Sequence, residues 1–241
     1  MPKHAAFCGT RAIYEDMETA AKSLIANSDV DVVHFIIEDA EFPRELPDII
    51  QVHDLSGQSY FRADGPNMSS GYTYMAMMRM ALCHVLPRVG KVLSLDADIV
   101  CMDDVSAIWD IDVSDAYFAC TPEWHRTGNG FLYCNAGVTL YNLKKLRDGK
   151  ADECIGVLNS RKYTWLEQDV QNYLCQGRIA EMPSCYNSNW WTDKYKRGVA
   201  LVHFAGEERR KWENDARVVR WRNATWDEVL RMHAELVKSK K

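Results

Sequence analysis

No run of about 18 apolar residues occurs anywhere in the 241-residue sequence, so nothing in it reads as a membrane-crossing helix. Residues 1–9 (Met-Pro-Lys-His-Ala-Ala-Phe-Cys-Gly) lack the apolar core of a secretory signal. No charge of one sign dominates either. Lys and Arg number 29 against 34 Asp and Glu, a net −5 that argues against a general binder of phosphate backbones while leaving room for a local basic patch, and no nucleic-acid partner is expected. With 47% hydrophobic and 26% charged residues, disorder and collagen-like structure are excluded too. Low-complexity tracts and internal repeats are missing. Eight cysteines are present, but none forms a Cys-x-x-Cys pair, and most sit among apolar neighbours. Such placement predicts reduced thiols acting as small hydrophobes in a cytoplasmic protein.

What is present is an alternation of two patterns. Residues 30–37 (Val-Asp-Val-Val-His-Phe-Ile-Ile) form a nearly continuous β-branched and aromatic run, as in a strand covered on both faces. Residues 91–95, 116–121 and 200–204 read the same way. Between them, residues 15–26, 72–86 and 165–176 carry apolar residues at helical spacing, with Pro87 and Gly177 as stops for the last two. A final amphipathic helix runs from Trp226 through Leu230 to Val237. The expectation is an α/β fold, one domain with a mostly parallel central sheet, whose ligand sites lie beyond the carboxyl ends of the strands.

Immediately after the 91–95 strand stand Asp96 and Asp98, with apolar Ile99 and Val100 beyond. In extended backbone such i, i+2 carboxylates point the same way, and their repulsion calls for a cation. Oxygen donors of this kind suit Mg²⁺ or Mn²⁺ held together with a substrate phosphate. His203 ends the 200–204 strand and is a third candidate ligand, one that favours Mn²⁺. Gly206, Arg209, Arg210 and Lys211 follow it, a turn and a set of cations suited to a diphosphate.

Asp96-Ala97-Asp98, Asn135-Ala136-Gly137-Val138, Glu167-Gln168-Asp169 and His203-Phe204-Ala205-Gly206, in this order, resemble the motifs of family 8 glycosyltransferases. Those are retaining enzymes of the GT-A fold, related to bacterial lipopolysaccharide galactosyltransferases and to glycogenin. The likeness covers about residues 5–212. It implies a 1–212 catalytic domain, with residues 213–241 a helical segment packed on it or peripheral. It implies a metal set of Asp96, Asp98 and His203, with Ala97 between the carboxylates at the donor. Arg79 matches a basic residue contacting the donor, and Asn135, Gln168 and Glu167 match groups at the transferred sugar, Glu167 standing where many members have Asp. Glu123 occupies a further sugar-binding acidic position. Gly206 with Arg209 or Arg210 matches a glycine and a lysine that grip the diphosphate. The N-terminal nucleotide segment departs most: relatives carry Asp or Asn with Tyr, whereas Thr10 and Tyr14 are the residues here that could bond and stack on a base.

The activity expected is transfer of galactose or glucose from a UDP-sugar to an acceptor hydroxyl of a glycan. Rival readings are a sugar-phosphate nucleotidyltransferase, which lacks its Gly-rich phosphate loop here, and a catalytically silent nucleotide-sugar binder. Trp190 and Trp191 either line an acceptor cleft or pack on the sheet. The 125–130 loop, beside Trp124, is either a lid or a plain surface loop. The Met-rich stretch Met75, Met77, Met78 and Met80 is expected to fill core. Arg217, Arg220 and Arg222, interleaved with Trp212, Trp221 and Trp226, suggest weak peripheral contact with the inner membrane face or a solvated capping helix.

Overall fold

The computed structural model describes residues 2–193 and 198–240. In chain order the elements are β1 (His4–Gly9), α1 (Tyr14–Asn27), β2 (Val32–Ile37), β3 (Ile50–Asp54), a 3₁₀ helix (Tyr74–Ala81), α2 (Leu82–Val85), β4 (Lys91–Leu95), β5 (Ile99–Cys101), β6 (Phe118–Pro122), β7 (Cys134–Asn142), α3 (Leu143–Leu146), α4 (Lys150–Ser160), α5 (Leu166–Leu174), β8 (Ile179–Glu181), β9 (Leu201–His203), a second 3₁₀ helix (Gly206–Asn214), α6 (Ala216–Arg222) and α7 (Trp226–Ser239).

Seven strands form the central sheet in the order β3-β2-β1-β4-β7-β6-β8. All neighbours are parallel except β7, which runs against both β4 and β6. The period of two explains why the central runs are apolar throughout. Ala5 and Phe7 of β1 face one core with Phe35, Leu93 and Leu95, while Ala6 and Cys8 face the other with Ile36 and Val92. α1, α6 and α7 cover the first face; the 3₁₀ helix 74–81 and α2 to α5 cover the second. All eight cysteines are free, and seven are buried.

The 72–86 segment is not the single α-helix its spacing predicts. It starts as 3₁₀ over Tyr74–Ala81, capped by the Thr73 hydroxyl accepting from Met75 N–H, and becomes α only at Leu82. Met75, Met77, Met78 and Met80 are all buried, too many directions for one α-helical face; the tighter coil and adaptable thioethers fill the space instead. Across β1, β2 and β3, His4, His34 and His53 lie side by side, with ring nitrogens 2.9 and 3.0 Å apart. Burial, with His53 and His4 beside it, pushes the His34 imidazole down to about 3.

Residues 213–240 pack on the rest. Lys22 of α1 sits 5.2 Å from the Trp226 ring, and His233 Nδ1 meets the Ile25 carbonyl at 2.9 Å. Trp212 and Trp221 are buried, and Arg217, Arg220 and Arg222 pair with Asp215, Glu228 and Glu213. The membrane reading therefore has no support: the three arginines it rests on pair with acids, and Trp212 and Trp221 are buried in the core. No described helix is long and apolar enough to cross a membrane.

Candidate functional site

Strand register gathers the site. Phe7 of β1 pairs with Leu95 of β4, and Leu95 in turn with Val138 of antiparallel β7. The segments after β1 and β4, and Asn135–Ala136–Gly137 at the start of β7, thus share one rim of the sheet. Glu123, just past β6, joins them through Glu123 N–H to the Tyr133 carbonyl at 2.8 Å. A separate two-stranded ladder pairs Ile99 of β5 with His203 of β9. This rim opens into a cavity of about 1010 Å³, lined among others by Thr10, Arg79, Asp96, Ala97, Asp98, Glu123, Asn135, Gln168, His203, Gly206 and Arg209.

Asp96, Asp98 and His203 each offer a ligand atom, all within 4.8 Å of one another. His203 Nε2 is 3.3 Å from Asp96 Oδ2 and 3.4 Å from Asp98 Oδ1. Ligands about 2.1 Å from one octahedral ion stand about 3 Å apart, so this spacing fits a hard divalent cation. The carboxylates do not converge through extended backbone, as their spacing predicts; residues 96–98 form a turn between β4 and β5, pinned by Asp96 N–H to the Gly137 carbonyl at 2.8 Å. Burial opposes charge at Asp96, but the Arg79 guanidinium and the His203 hydrogen bond hold its carboxyl well below the usual range. Burial likewise opposes a charged His203, yet its bonds to both carboxylates raise it to about 9. Positive charge is what the pair demands, and a divalent cation would take the place of that proton.

Two asparagines that the motifs did not single out orient the imidazole. Asn187 Oδ1 lies 2.8 Å from His203 Nδ1, the geometry of an Nδ1–H donor, which leaves Nε2 facing the aspartates. Asn189 Nδ2 donates to Asn187 Oδ1 at 3.0 Å and so fixes the acceptor that holds the ring. Gly137 makes room: a Cβ there would come within 2.1 Å of His203 Cε1 and 2.9 Å of Asp96 Oδ2.

Beside this cluster lies a hydrogen-bonded carboxylate–amide network. Glu123 Oε1 accepts from Asn135 Nδ2 at 3.1 Å and Gln168 Nε2 at 3.2 Å. Gln168 Oε1 accepts from Ala136 N–H at 2.8 Å, so the amide is held at both ends. Glu167 is buried and pairs with Arg79 at 3.1 Å; burial, against the pull of Arg79, raises its carboxyl to about 6. Arg79 also bonds Asp96 and the Ala136 carbonyl, at 3.0 Å, joining the two halves. Asp169 accepts from Tyr133 Oη at 2.6 Å and from Trp165 N–H at 3.0 Å. These bonds hold Leu166, whose φ of 45° is strained for a branched residue, where Glu167 and Gln168 reach the rim. Tyr133 and Arg126, whose guanidinium stacks 3.5 Å from the Tyr133 ring centre, are further members.

Not every expected residue reaches the cavity. Thr10 does, along with Cys8, Ala12 and Ile13. Tyr14 does not line it: the ring is buried against Phe42, 5.0 Å between centroids, and its hydroxyl accepts from Glu38 N–H at 3.2 Å. A tyrosine on the first turn of α1 points to the core side of the helix, which its local sequence did not reveal. Of the two candidate arginines, Arg209 lines the cavity, whereas Arg210 is exposed and pairs with Glu207 at 3.5 Å. Gly206 has φ +59°, and a Cβ there would meet the Trp191 ring at 2.2 Å; Trp191 thus lines the cavity and Trp190 is exposed. His125 and Arg126, from the 125–130 loop, line it too.

Known proteins resemble the chain in sequence and in structure. The description "glycosyl transferase family 8" belongs to the family pattern that matches residues 17–216. A lipopolysaccharide 1,2-glucosyltransferase of Escherichia coli (strain K12) is 29% identical over 151 residues, 51% of this chain and 45% of that protein. The glycosyltransferase GlyE of Streptococcus pneumoniae serotype 4 is 24% identical over 194 residues, 75% of this chain and 46% of GlyE. This chain spans under half the length of both curated relatives. The GlyE crystal structure superposes with a TM-score of 0.71 at 17% identity, over 99% of this chain and 64% of that one. The galactosyltransferase LgtC, solved with donor and acceptor sugar analogs, gives 0.65 at 20% identity, over 96% and 95%.

Proposed function

The chain belongs to glycosyl transferase family 8 and has the GT-A fold, and on that premise we propose that it is a metal-dependent, retaining hexosyltransferase. It moves galactose or glucose from a UDP-sugar to a hydroxyl of a glycan. The observation that carries this reading is the convergence of Asp96, Asp98 and His203 on the rim of a cavity also lined by Glu123, Asn135 and Gln168.

Asp96, Asp98 and His203 would hold Mn²⁺ or Mg²⁺, and their two oxygens and one imidazole nitrogen favour Mn²⁺. Such an ion neutralises a diphosphate and makes it a better leaving group. Arg79 and Arg209 add charge-assisted hydrogen bonds on the same side of the cavity, and Gly206 lets backbone approach closely. Loss of the diphosphate leaves an oxocarbenium-like sugar, which the Glu123–Asn135–Gln168 network is placed to orient. Gln168 carries no charge and is a poor nucleophile, and the Glu167 carboxylate is engaged by Arg79. We therefore favour attack by the acceptor hydroxyl on the face the diphosphate leaves, with a departing phosphate oxygen taking the hydroxyl proton. Tyr72 and Trp165, exposed rings 5.7 Å apart beside Gln168, supply the apolar surface a sugar acceptor stacks on. The eight free thiols support a cytoplasmic location.

UDP release from a panel of UDP-sugars, with Mn²⁺ and with a chelator, tests the proposal. Turnover is expected with one hexose donor, only with metal, and Asp98→Asn should lower it at least about a hundredfold. Metal-independent turnover, or full activity in Asp98→Asn, would overturn it.

A further inference from the structure

We propose that Asp16, on the first turn of α1, is a positioning residue that holds Arg209 with one edge of its guanidinium turned toward the Asp96–Asp98–His203 cluster. The inference rests on the reading above that this cavity takes a nucleoside diphosphate.

Asp16 is a carboxylate in the wall of a cavity meant for an anion, and it needs a reason to be there. Its partners supply one. Oδ2 accepts from Arg209 Nη2, and Oδ1 accepts from the Trp212 indole N–H at 2.6 Å. Arg222 Nη2 stands 3.6 Å from Oδ1. All three come from the last third of the chain, so α1 is tied to the 3₁₀ helix 206–214 and to α6 through this one side chain. Arg209 is further restrained by the Trp212 ring, 5.2 Å from its guanidinium carbon. With Nη2 engaged, its Nε lies 3.9 Å from Asp98 Oδ2, on the side where a diphosphate held at the cluster would sit.

The fork geometry makes this arrangement specific to arginine. A guanidinium presents donors on several edges of one plane, so one nitrogen can bind Asp16 while another serves a phosphate. A lysine at 209 offers a single point charge and gives up one partner to serve the other. Fixing the side chain beforehand also removes rotamer entropy that binding would otherwise cost.

Charge alone predicts the opposite of positioning, which makes the test sharp. Removing the Asp16 charge from a cavity already holding Asp96, Asp98 and Glu123 should tighten the binding of an anion. If Asp16 positions Arg209, removing it should weaken that binding. Calorimetric titration of UDP in the presence of Mn²⁺ is to be compared for wild type, Asp16→Asn, Arg209→Lys and the double variant, each first checked by thermal unfolding. Asparagine keeps an oxygen for the Trp212 indole. Asp16→Asn is expected to weaken UDP about tenfold, and the double variant to bind no worse than Arg209→Lys alone, since a lysine never depended on the fork. A purely structural role would lower the melting temperature and leave the two substitutions additive, which overturns the inference, as does binding in Asp16→Asn equal to or tighter than wild type. Should Asp16→Asn not fold, Asp16→Glu retains the charge but moves it by one methylene; weaker UDP binding supports the inference and unchanged binding overturns it. A wild type that binds no UDP with metal sinks the proposed function itself, whereas a wild type that binds, with indifferent Asp16 variants, sinks this inference alone.

Discussion

Gly137 stands where a methyl group would collide with both His203 and Asp96, and the two side chains can close on each other only because it is absent. Gly137→Ala is therefore expected to lower Mn²⁺ affinity by at least about tenfold, measured by calorimetric titration, with a fall in melting temperature as the imidazole is displaced. Asn187→Ala should lower Mn²⁺ affinity about 10–100-fold with the fold intact, because the imidazole loses the acceptor that sets its tautomer. Affinity unchanged in Asn187→Ala would show that the bond to Nδ1 does not orient the ligand. Motif residues such as Asp96, Asp98 and His203 were legible in the sequence because Asp96 directly follows one apolar strand, Asp98 directly precedes another and His203 ends a third. Asn187, Asp16 and Tyr133 were not, since their partners lie 16, 193 and 36 residues away and leave no local pattern.

At the scale of elements, the buried strands were easiest to read. The 91–95 strand is found at its expected bounds, and the strands expected at 30–37, 116–121 and 200–204 lie within two residues of theirs, because strands covered on both faces are continuously apolar. β3 was missed: at the sheet edge only Ile50 is buried, and Ile-Gln-Val-His-Asp is too short and polar to stand out. α4 went unread although Ala151, Cys154, Ile155 and Leu158 hold helical spacing. The three histidines across β1 to β3 carry a consequence for pH. His34 is depressed to about 3 in the folded protein, against about 6.5 unfolded, so its contribution is complete above pH 6.5 and is lost as pH falls below that. Between pH 7.5 and pH 5 this amounts to about 2 kcal/mol. Urea midpoints at the two pH values check it, and His34→Gln should flatten the difference; an equal pH dependence in the variant would contradict the assignment.

For the whole molecule, the C-terminal helices are part of the fold's first layer. Val229 of α7 is fully buried in the core that α1 shares with the sheet. Val229→Ala should cost about 2 kcal/mol, seen as about 4–8 °C in melting temperature. Because Arg217, Arg220 and Arg222 already face acids, the chain is expected to stay in the supernatant when spun with anionic vesicles at low salt. Sedimentation with them would show that those pairs open on a lipid surface.

The pairing of β5 with β9 also sets a timetable. A ribosome that has completed Ile99 must add about a hundred more residues before the strand bearing His203 can dock beside it, which takes roughly five to twenty seconds at ordinary synthesis rates. Until then the nascent polypeptide displays two acids without their imidazole. On the proposed reading, the emerging chain would lack one of the three donors for its ion until the strand bearing His203 is in place.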